Sequence, residues 1–313
     1  MFFVVGPTAV GKSEIAVEVA QRCDAEIVGA DAFQAYEGLE LLTAKPGRDL
    51  RAKVRHHLIG EIPLGEKFDA GRYRDLALER VREIEGRGRR ALVVGGTGLY
   101  VRALTHGLSE LPEGNPELRG ELEGLTLAQL QEKYAALDPR GMERIDRQNR
   151  RRLVRAIEVS LLAGAPFSSL RADWSGEEAA AGSACGVVLE REREELCGRI
   201  DERVRRMFDD GVIQEVREAG EVGPTACQAI GYAEIRGHLC GEMSVAECVA
   251  AIQQRTRQYA KRQLTWLRRE NIFSPVNLTN KPQSEVAKLI AQRIEAGCAN
   301  AGQEKGIPAP KDV

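Results

Sequence analysis

The chain has 313 residues, of which 43% are hydrophobic, 29% charged and 5% aromatic, with a formal net charge of −2. This length fits one large α/β domain, alone or carrying a smaller second one. The charge balance excludes indiscriminate nucleic-acid binding, and no apolar run approaches the ~18 residues of a membrane span.

In chain order, residues 1–5 (MFFVV) read as a short buried strand, followed by GPTAVGKS and a helix from about Ser13. Residues 25–29 are a second strand, ending at Ala30-Asp31. Strand, loop, helix and strand in this order open a parallel α/β sheet. Residues 32–66, punctuated by Lys45-Pro46-Gly47 and Ile62-Pro63, are expected to be loop-rich, and 69–86 to be an amphipathic helix. A third strand, 90–94, closes on Gly95-Gly96-Thr97-Gly98 before a helix over 99–105.

From 109 to 182 the pattern is only helical. Thr126-x-x-Gln129 forms a capping box. Leu153, Ile157 and Leu161, at i, i+4 and i+8, predict one buried face, with the arginines around them on the other faces. Strand character returns at 185–189; 192–220 is helical with a break at Asp210-Gly211. Ser244-x-x-Glu247 caps a long helix to about Arg269, 271–276 is a last strand and 281–296 a last helix. The expected architecture is an α/β, P-loop NTPase-like parallel sheet flanked by helices, with an all-helical insertion domain. Residues 1–108 and 183–297 make the discontinuous core, 109–182 the insertion, and 298–313 a disordered tail.

Seven cysteines, Cys23, Cys185, Cys197, Cys227, Cys240, Cys248 and Cys298, contain no C-x-x-C pair. An odd, scattered set reads as reduced thiols, not a disulfide frame or a zinc site. His56 and His57 lack the companions of a tetrahedral metal site, so a structural or hydrogen-bonding role is expected. An opening that is already a strand predicts no signal peptide and a cytoplasmic location.

Gly6, Pro7, Thr8, Ala9, Val10, Gly11, Lys12 and Ser13 match the phosphate-binding pattern G-x-x-x-x-G-K-[ST] without a mismatch. Backbone N–H groups from Thr8 to Ser13 are expected to ring a diphosphate at a helix N-terminus, with Lys12 as a point charge and the Ser13 hydroxyl on Mg²⁺. Asp31 and Thr97 stand at the ends of two further strands, where parallel folds build their ligand crevice. Gln34 has the donors and acceptor to read an amide-like base edge. The third strand carries no terminal acid to hold Mg²⁺, which weakens a phosphoryl-transfer reading. Two arginine clusters, one around Arg144–Arg155 and one around Arg255–Arg269, suggest a local polyanion site.

Several blocks then occur in a fixed order. After GPTAVGKS come DAFQAY, TAKP (43–46), HHL (56–58), VVGGTGLY (93–100), RRLVRAIEV (151–159), QAIGY (228–232) and KRQLTWLR (261–268). This set resembles the tRNA dimethylallyltransferase (tRNA isopentenyltransferase) family, from residue 4 to about 275. The resemblance implies transfer of the allyl group of dimethylallyl diphosphate to the 6-amino group of adenine 37 in tRNA, with release of diphosphate. It implies Lys12, Asp31 and Thr97 as catalytic residues, with Thr97 near the bridging oxygen of the diphosphate, and Mg²⁺ as cofactor.

The resemblance also maps tRNA contacts onto Asp31, Ala32, Phe33, Gln34, Thr97 and Arg119. Further contacts fall on Arg151, Arg152, Arg155, Gln228, Gly231, Tyr232, Lys261, Arg262, Trp266 and Arg268. The insertion would grip the anticodon stem, and the enzyme would work as a monomer away from membranes. Ala32-Phe33, Leu42 and Ala233 depart from the family pattern; a Lys or Arg is common at the position of Ala233, and Arg236 is a nearby substitute. The residues alone also fit a P-loop kinase of a small metabolite, a nucleic-acid-binding P-loop protein, or a prenyltransferase acting on free adenylate. The long helical insertion and the TWLR block favour RNA over free nucleotide.

Overall fold

A computed structural model describes residues 1–109, 111–170, 185–270 and 272–303. Six strands run in one parallel sheet: β1 (Phe2–Val5), β2 (Ala25–Ala30), β3 (His56–His57), β4 (Arg90–Gly95), β5 (Cys185–Glu190) and β6 (Ser274–Asn277). Their spatial order is β3-β2-β4-β1-β5-β6. All five pairings are parallel, with Val5 opposite Gly95 and Ala30 also opposite Gly95.

The strands are apolar almost throughout because both faces of the sheet are covered. Successive side chains leave a strand on opposite faces. Val4, Ile27, Leu92, Val187 and Leu189 therefore enter one core cluster. Phe3, Val5, Val28, Val93 and Val188 enter the other.

The chain divides into two compact units, Met1–Thr105 with Ala180–Val313, and His106–Ala179. The upper boundary expected at 182–183 lies outside the described residues. In the first unit, α1 (Lys12–Arg22), α2 (Arg48–Lys53), α3 (Ala70–Gly86) and α4 (Gly98–Thr105) follow the first strands. The second unit holds α5 (Pro116–Glu123), α6 (Leu127–Leu137), α7 (Pro139–Arg144), α8 (Arg150–Ala163) and α9 (Phe167–Leu170). The first unit resumes with α10 (Arg193–Asp209), α11 (Val212–Glu218), α12 (Tyr232–Leu239), α13 (Val245–Glu270) and α14 (Gln283–Gln303). Among the described residues no helix is long and apolar enough to cross a membrane.

Helices α1 and α14 cover one face of the sheet, α3 and α4 the other. The break between α10 and α11 falls at Gly211, whose φ of +97° suits glycine. Two elements inside the segment expected to be loop-rich, α2 and β3, were not anticipated; β3 is two residues long and α2 buries none of its residues, so neither leaves a periodic trace. Helix α14 continues to Gln303, into the expected disordered tail, and 304–313 lie outside the described residues. His57 Nε2 lies 2.7 Å from the buried Glu26, and His56 Nδ1 2.8 Å from the Val54 carbonyl.

The second unit has its own core, built from Leu122, Leu130, Tyr134, Leu153, Val154 and Ile157. Thr126 and Gln129 cap α6 reciprocally. Leu161, expected in the buried stripe, is 40% exposed. A four-residue step overshoots the helical turn by ~40°, so the second step carries Leu161 ~80° off the Leu153 line. Ala156, Val159 and Ser160 complete the face instead.

The arginines of α8 are not all outward either. Glu158 is fully buried. Its Oε2 accepts from Arg119 at 2.6 Å and Arg155 at 2.7 Å, and its Oε1 from the Asn115 N–H at 3.0 Å. A buried carboxylate holds its charge only with such partners.

Burial pushes the Glu158 carboxyl up, but the Arg119 and Arg155 hydrogen bonds outweigh it and hold the group below its ordinary range. The lowered value means this contribution is complete above the ordinary carboxylate range and is lost as pH falls from that range through the lowered value. Replacing both Arg119 and Arg155 by Met strands the charge and is expected to destabilise the second unit by about 3–5 kcal/mol. Glu158→Gln should cost less and blunt the acid sensitivity of this unit. Hydrogen exchange of α5 and α8 in the whole protein, followed from pH 7 to 3.5, reads both effects.

Candidate active site

The strand order sets the carboxyl ends of β2, β4 and β1 side by side. The phosphate loop leaves β1 at Val5, and the Gly6 N–H donates to the Gly95 carbonyl at 3.2 Å. Gly11 ends the loop with φ +101°, which glycine takes without strain. Helix α1 then starts at Lys12 with no side-chain cap, leaving first-turn N–H groups for an anion. Not every loop donor is available. Thr8 N–H donates to Gln263 Oε1 at 2.8 Å and Val10 N–H to the Pro7 carbonyl at 3.4 Å. The expected ring of donors is therefore narrower, resting on Ala9, Gly11, Lys12 and Ser13.

A cavity of about 360 Å³ opens beside the loop. Thr8, Lys12, Ser13, Asp31, Gln34 and the 43–47 segment line it, with Arg199, Arg203 and Arg206 of α10. Lys12 Nζ donates to the Gly6 and Pro7 carbonyls at 3.0 and 2.8 Å. Burial pushes its ammonium down to about 8, against the upward pull of Asp31. Burial likewise brings Arg203 down to about 10, again opposed by Asp31.

Asp31 closes β2 in a tight turn. Its Oδ1 accepts from the N–H groups of Phe33 at 3.0 Å and Gln34 at 3.3 Å. Oδ2 makes no hydrogen bond among the described residues, so one oxygen is held and the other can take a proton. Thr97 does not line the cavity; its hydroxyl accepts from the Ala32 N–H at 3.1 Å and braces the same turn. Gln34 donates both amide hydrogens to the Thr43 and Ala44 carbonyls, at 3.1 and 3.0 Å, and so shapes the cavity wall. Ala32 and Phe33 pack, partly buried, on two different core clusters.

Lys261, Arg262 and Trp266 line a shallow hollow on α13 with Gln258, Thr265 and Arg269; the two cations are exposed, whereas the Trp266 ring is half-buried against the core, and a Cβ on Gly98 would lie 2.6 Å from it. The Arg262 guanidinium stands 5.8 Å from the centre of the Tyr259 ring. Arg268 instead pairs with Glu190 at 2.9 Å. Gln228 ends a short 3-10 turn, and Gly231, at φ +100°, starts α12 just before Tyr232. Ala233 and Arg236 are both exposed on α12.

In the second unit, Arg151 and Arg152 are exposed without a side-chain partner among the described residues. Arg119 and Arg155 are committed to Glu158.

Sequence reasoning missed the cations of the segment after β5. Arg191 donates to the Val10 carbonyl and Arg199 to the Ala9 carbonyl, each at 2.9 Å. Arg199, Arg203 and Arg206 recur at i, i+4 and i+7, one face of a helix. That spacing was legible, but no phosphate motif marks it.

A family profile described as IPP transferase matches residues 34–270. A tRNA dimethylallyltransferase of Geobacter metallireducens is 43% identical over 280 residues, covering 87% of this chain and 90% of the relative. One from Akkermansia muciniphila is 39% identical over 292 residues, covering 93% and 97%. The solved tRNA isopentenylpyrophosphate transferase of Bacillus halodurans superposes with a TM-score of 0.68 at 32% identity, covering 96% of this chain and 98% of that one. A eukaryotic dimethylallyltransferase acting on tRNA shares the fold, with a TM-score of 0.76 at 22% identity over 99% of this chain and 81% of that one. With a profile match over residues 34–270 and identities near 40% over most of its length, the chain belongs to the IPP transferase family.

Proposed function

We propose that this protein transfers the dimethylallyl group of dimethylallyl diphosphate to the 6-amino group of adenine 37 in the anticodon loop of tRNA. The single observation that carries the reading is the pairing of a cationic phosphate loop with Asp31 across one cavity, with no acid at the end of β4. The relatives' names, which are those of tRNA dimethylallyltransferases, point to the same reaction.

The carbon–oxygen bond at C1 breaks, and its electron pair leaves with the diphosphate. Lys12, Arg203 and the first-turn N–H groups of α1 stabilise the charge growing there. The adenine nitrogen supplies the pair for the new bond to C1 and becomes cationic. Asp31 Oδ2 then accepts its proton. The Thr97 hydroxyl keeps the Asp31 turn in place through Ala32.

Mg²⁺ fits this residue set. It favours one or two protein oxygens with substrate phosphate and water, not a full protein cage. Ser13 Oγ at the start of α1 supplies such an oxygen, and no cluster of three metal-ligating side chains occurs among the described residues. The ion would neutralise part of the diphosphate charge.

The adenine must leave its stack, which costs a few kcal/mol and least in a single-stranded loop. Lys261, Arg262 and Arg269 offer cations to that loop, beside the half-buried Trp266 ring. Arg151 and Arg152 suit phosphates of the stem. A monomer in the cytoplasm, where tRNA is, is the working form.

The direct test incubates the protein with Mg²⁺, labelled dimethylallyl diphosphate and unmodified tRNA, without ATP. Label should enter tRNA, and should not enter a tRNA whose adenine 37 is replaced. Consumption of ATP without labelling would instead indicate a kinase. Asp31→Asn should lower turnover about 10²–10⁴-fold with tRNA affinity retained; equal loss of both would make Asp31 a recognition residue. Inorganic pyrophosphate affinity should fall as pH rises through about 8, where Lys12 loses its proton, and Lys12→Arg should remove that dependence. Titration calorimetry at pH 7, 8 and 9 checks this. Chelation of Mg²⁺ should abolish transfer.

A further inference from the structure

The buried stripe of α13 is Cys248, Ile252, Thr256, Ala260, Gln263 and Leu267. Gln263 is the largest polar side chain in it and is 5% exposed. A buried carboxamide is costly unless both of its ends are bonded. Its Oε1 accepts from the Thr8 N–H and its Nε2 donates to the Gly96 carbonyl, each at 2.8 Å. Thr8 belongs to the phosphate loop, and Gly96 directly precedes Thr97. Among the described residues no other side chain hydrogen-bonds to both segments.

The fit is close. A Cβ placed on Gly96 would lie 2.4 Å from Gln263 Nε2 and 2.6 Å from the Gly6 carbonyl oxygen. Two backbones, at Gly96 and Gly6, and one carboxamide therefore meet with no room for a methyl group. Arg262 and Lys261, one and two positions earlier on the helix, are exposed and line the hollow on its outer side. Consecutive helical residues point ~100° apart, so one helix carries an outward cationic face and an inward strut. The hydroxyl of the half-buried Tyr259, beside both Thr97 and Gln263, completes the junction.

We infer that Gln263 is a positioning residue: it fixes the distance between the loop that holds the leaving diphosphate and the Thr97–Asp31 turn that receives the proton. The inference rests on the reaction proposed for this site. It assigns Gln263 an inward role, distinct from the RNA-facing side chains beside it. A carboxamide suits the task because it accepts at one end and donates at the other. A carboxylate cannot donate to Gly96, and a thioether cannot donate and accepts only weakly.

The test uses Gln263→Met, which keeps volume and helix propensity, and Gln263→Glu, which keeps only the acceptor. Both should lower single-turnover transfer about 10- to 100-fold, the cost of slightly misplaced reacting groups. tRNA affinity by filter binding and the KM for dimethylallyl diphosphate should stay within about threefold. In a Thr97→Ala background the Gln263→Met change should cost less than about threefold, because the group it positions has gone. A loss that follows tRNA affinity, or one of equal size in both backgrounds, overturns the inference.

Hydrogen exchange on the protein with Mg²⁺ and inorganic pyrophosphate gives a readout that needs no transfer. Exchange at residues 6–13 and 91–98 should quicken together in both variants while α3 and α6 are unchanged. If the parent protein transfers nothing but the two loops loosen together, the reaction is wrong and the strut stands. If a folded variant leaves both loops protected, the strut is wrong whatever the reaction.

Discussion

A parallel sheet buried on both faces leaves room for a ligand only at the carboxyl edge of its strands, where the backbone leaves the ladder and turns back. Everything functional here depends on how closely those ends approach. Because β4 lies between β2 and β1, the phosphate loop, the Thr97 turn and the Asp31 turn are consecutive along that edge. The approach is tight enough that a Cβ on Gly95 would fall 2.1 Å from the Ala30 carbonyl oxygen. Gly95, which ends β4, and Gly96 after it allow contact between protein backbones, and the contact holds the three turns in register, whereas Gly98 makes room for the Trp266 ring.

Charge is the second constraint. Lys12 and Arg203 lose stability as cations because burial removes water from them, and the nearby Asp31 restores only part of it. A site in that condition favours an anion strongly, since a bound diphosphate replaces the missing solvation for both. The coupling is reciprocal: an anion that binds better to protonated Lys12 must raise the affinity of Lys12 for its proton. Arg191 and Arg199 contribute differently. Their guanidinium groups bond to carbonyls of the phosphate loop and hold its shape.

How much of this was legible depended on whether the signal was local. GPTAVGKS between an apolar strand and a helix fixes the loop from eight residues, because its chemistry is backbone geometry. Every strand but the two-residue β3 could be read from apolar runs, and the starts of α6 and α13 from Thr126-x-x-Gln129 and Ser244-x-x-Glu247, since caps act within one turn. What escaped was long-range. Gln263 meets Thr8 and Gly96 across separations that no periodicity reports. The ion pairs of Arg119 and Arg155 with Glu158 were also hidden, because Glu158 looks like any helical glutamate until its burial is known. Leu161 failed for a simpler reason, the drift between a four-residue step and a 3.6-residue turn.

The same loop serves phosphoryl transfer elsewhere, so the reaction is decided by what stands opposite it. In phosphoryl transfer the acceptor and its base must reach the phosphorus itself, and a strand-end acid holds the metal beside the phosphates. Here the neighbouring strand β4 ends in glycines, and the acid stands one strand further away, at the end of β2. Two interstrand steps span about 9–10 Å. That distance leaves space between the diphosphate and Asp31 for a carbon centre and an attacking amine in line. A base placed there is too far from the phosphorus to serve attack on it and well placed for a nitrogen on the far side of an allylic carbon. In the reaction proposed here, the spacing of strands, fixed by backbone hydrogen bonding, would favour cleavage of the carbon–oxygen bond of the diphosphate ester.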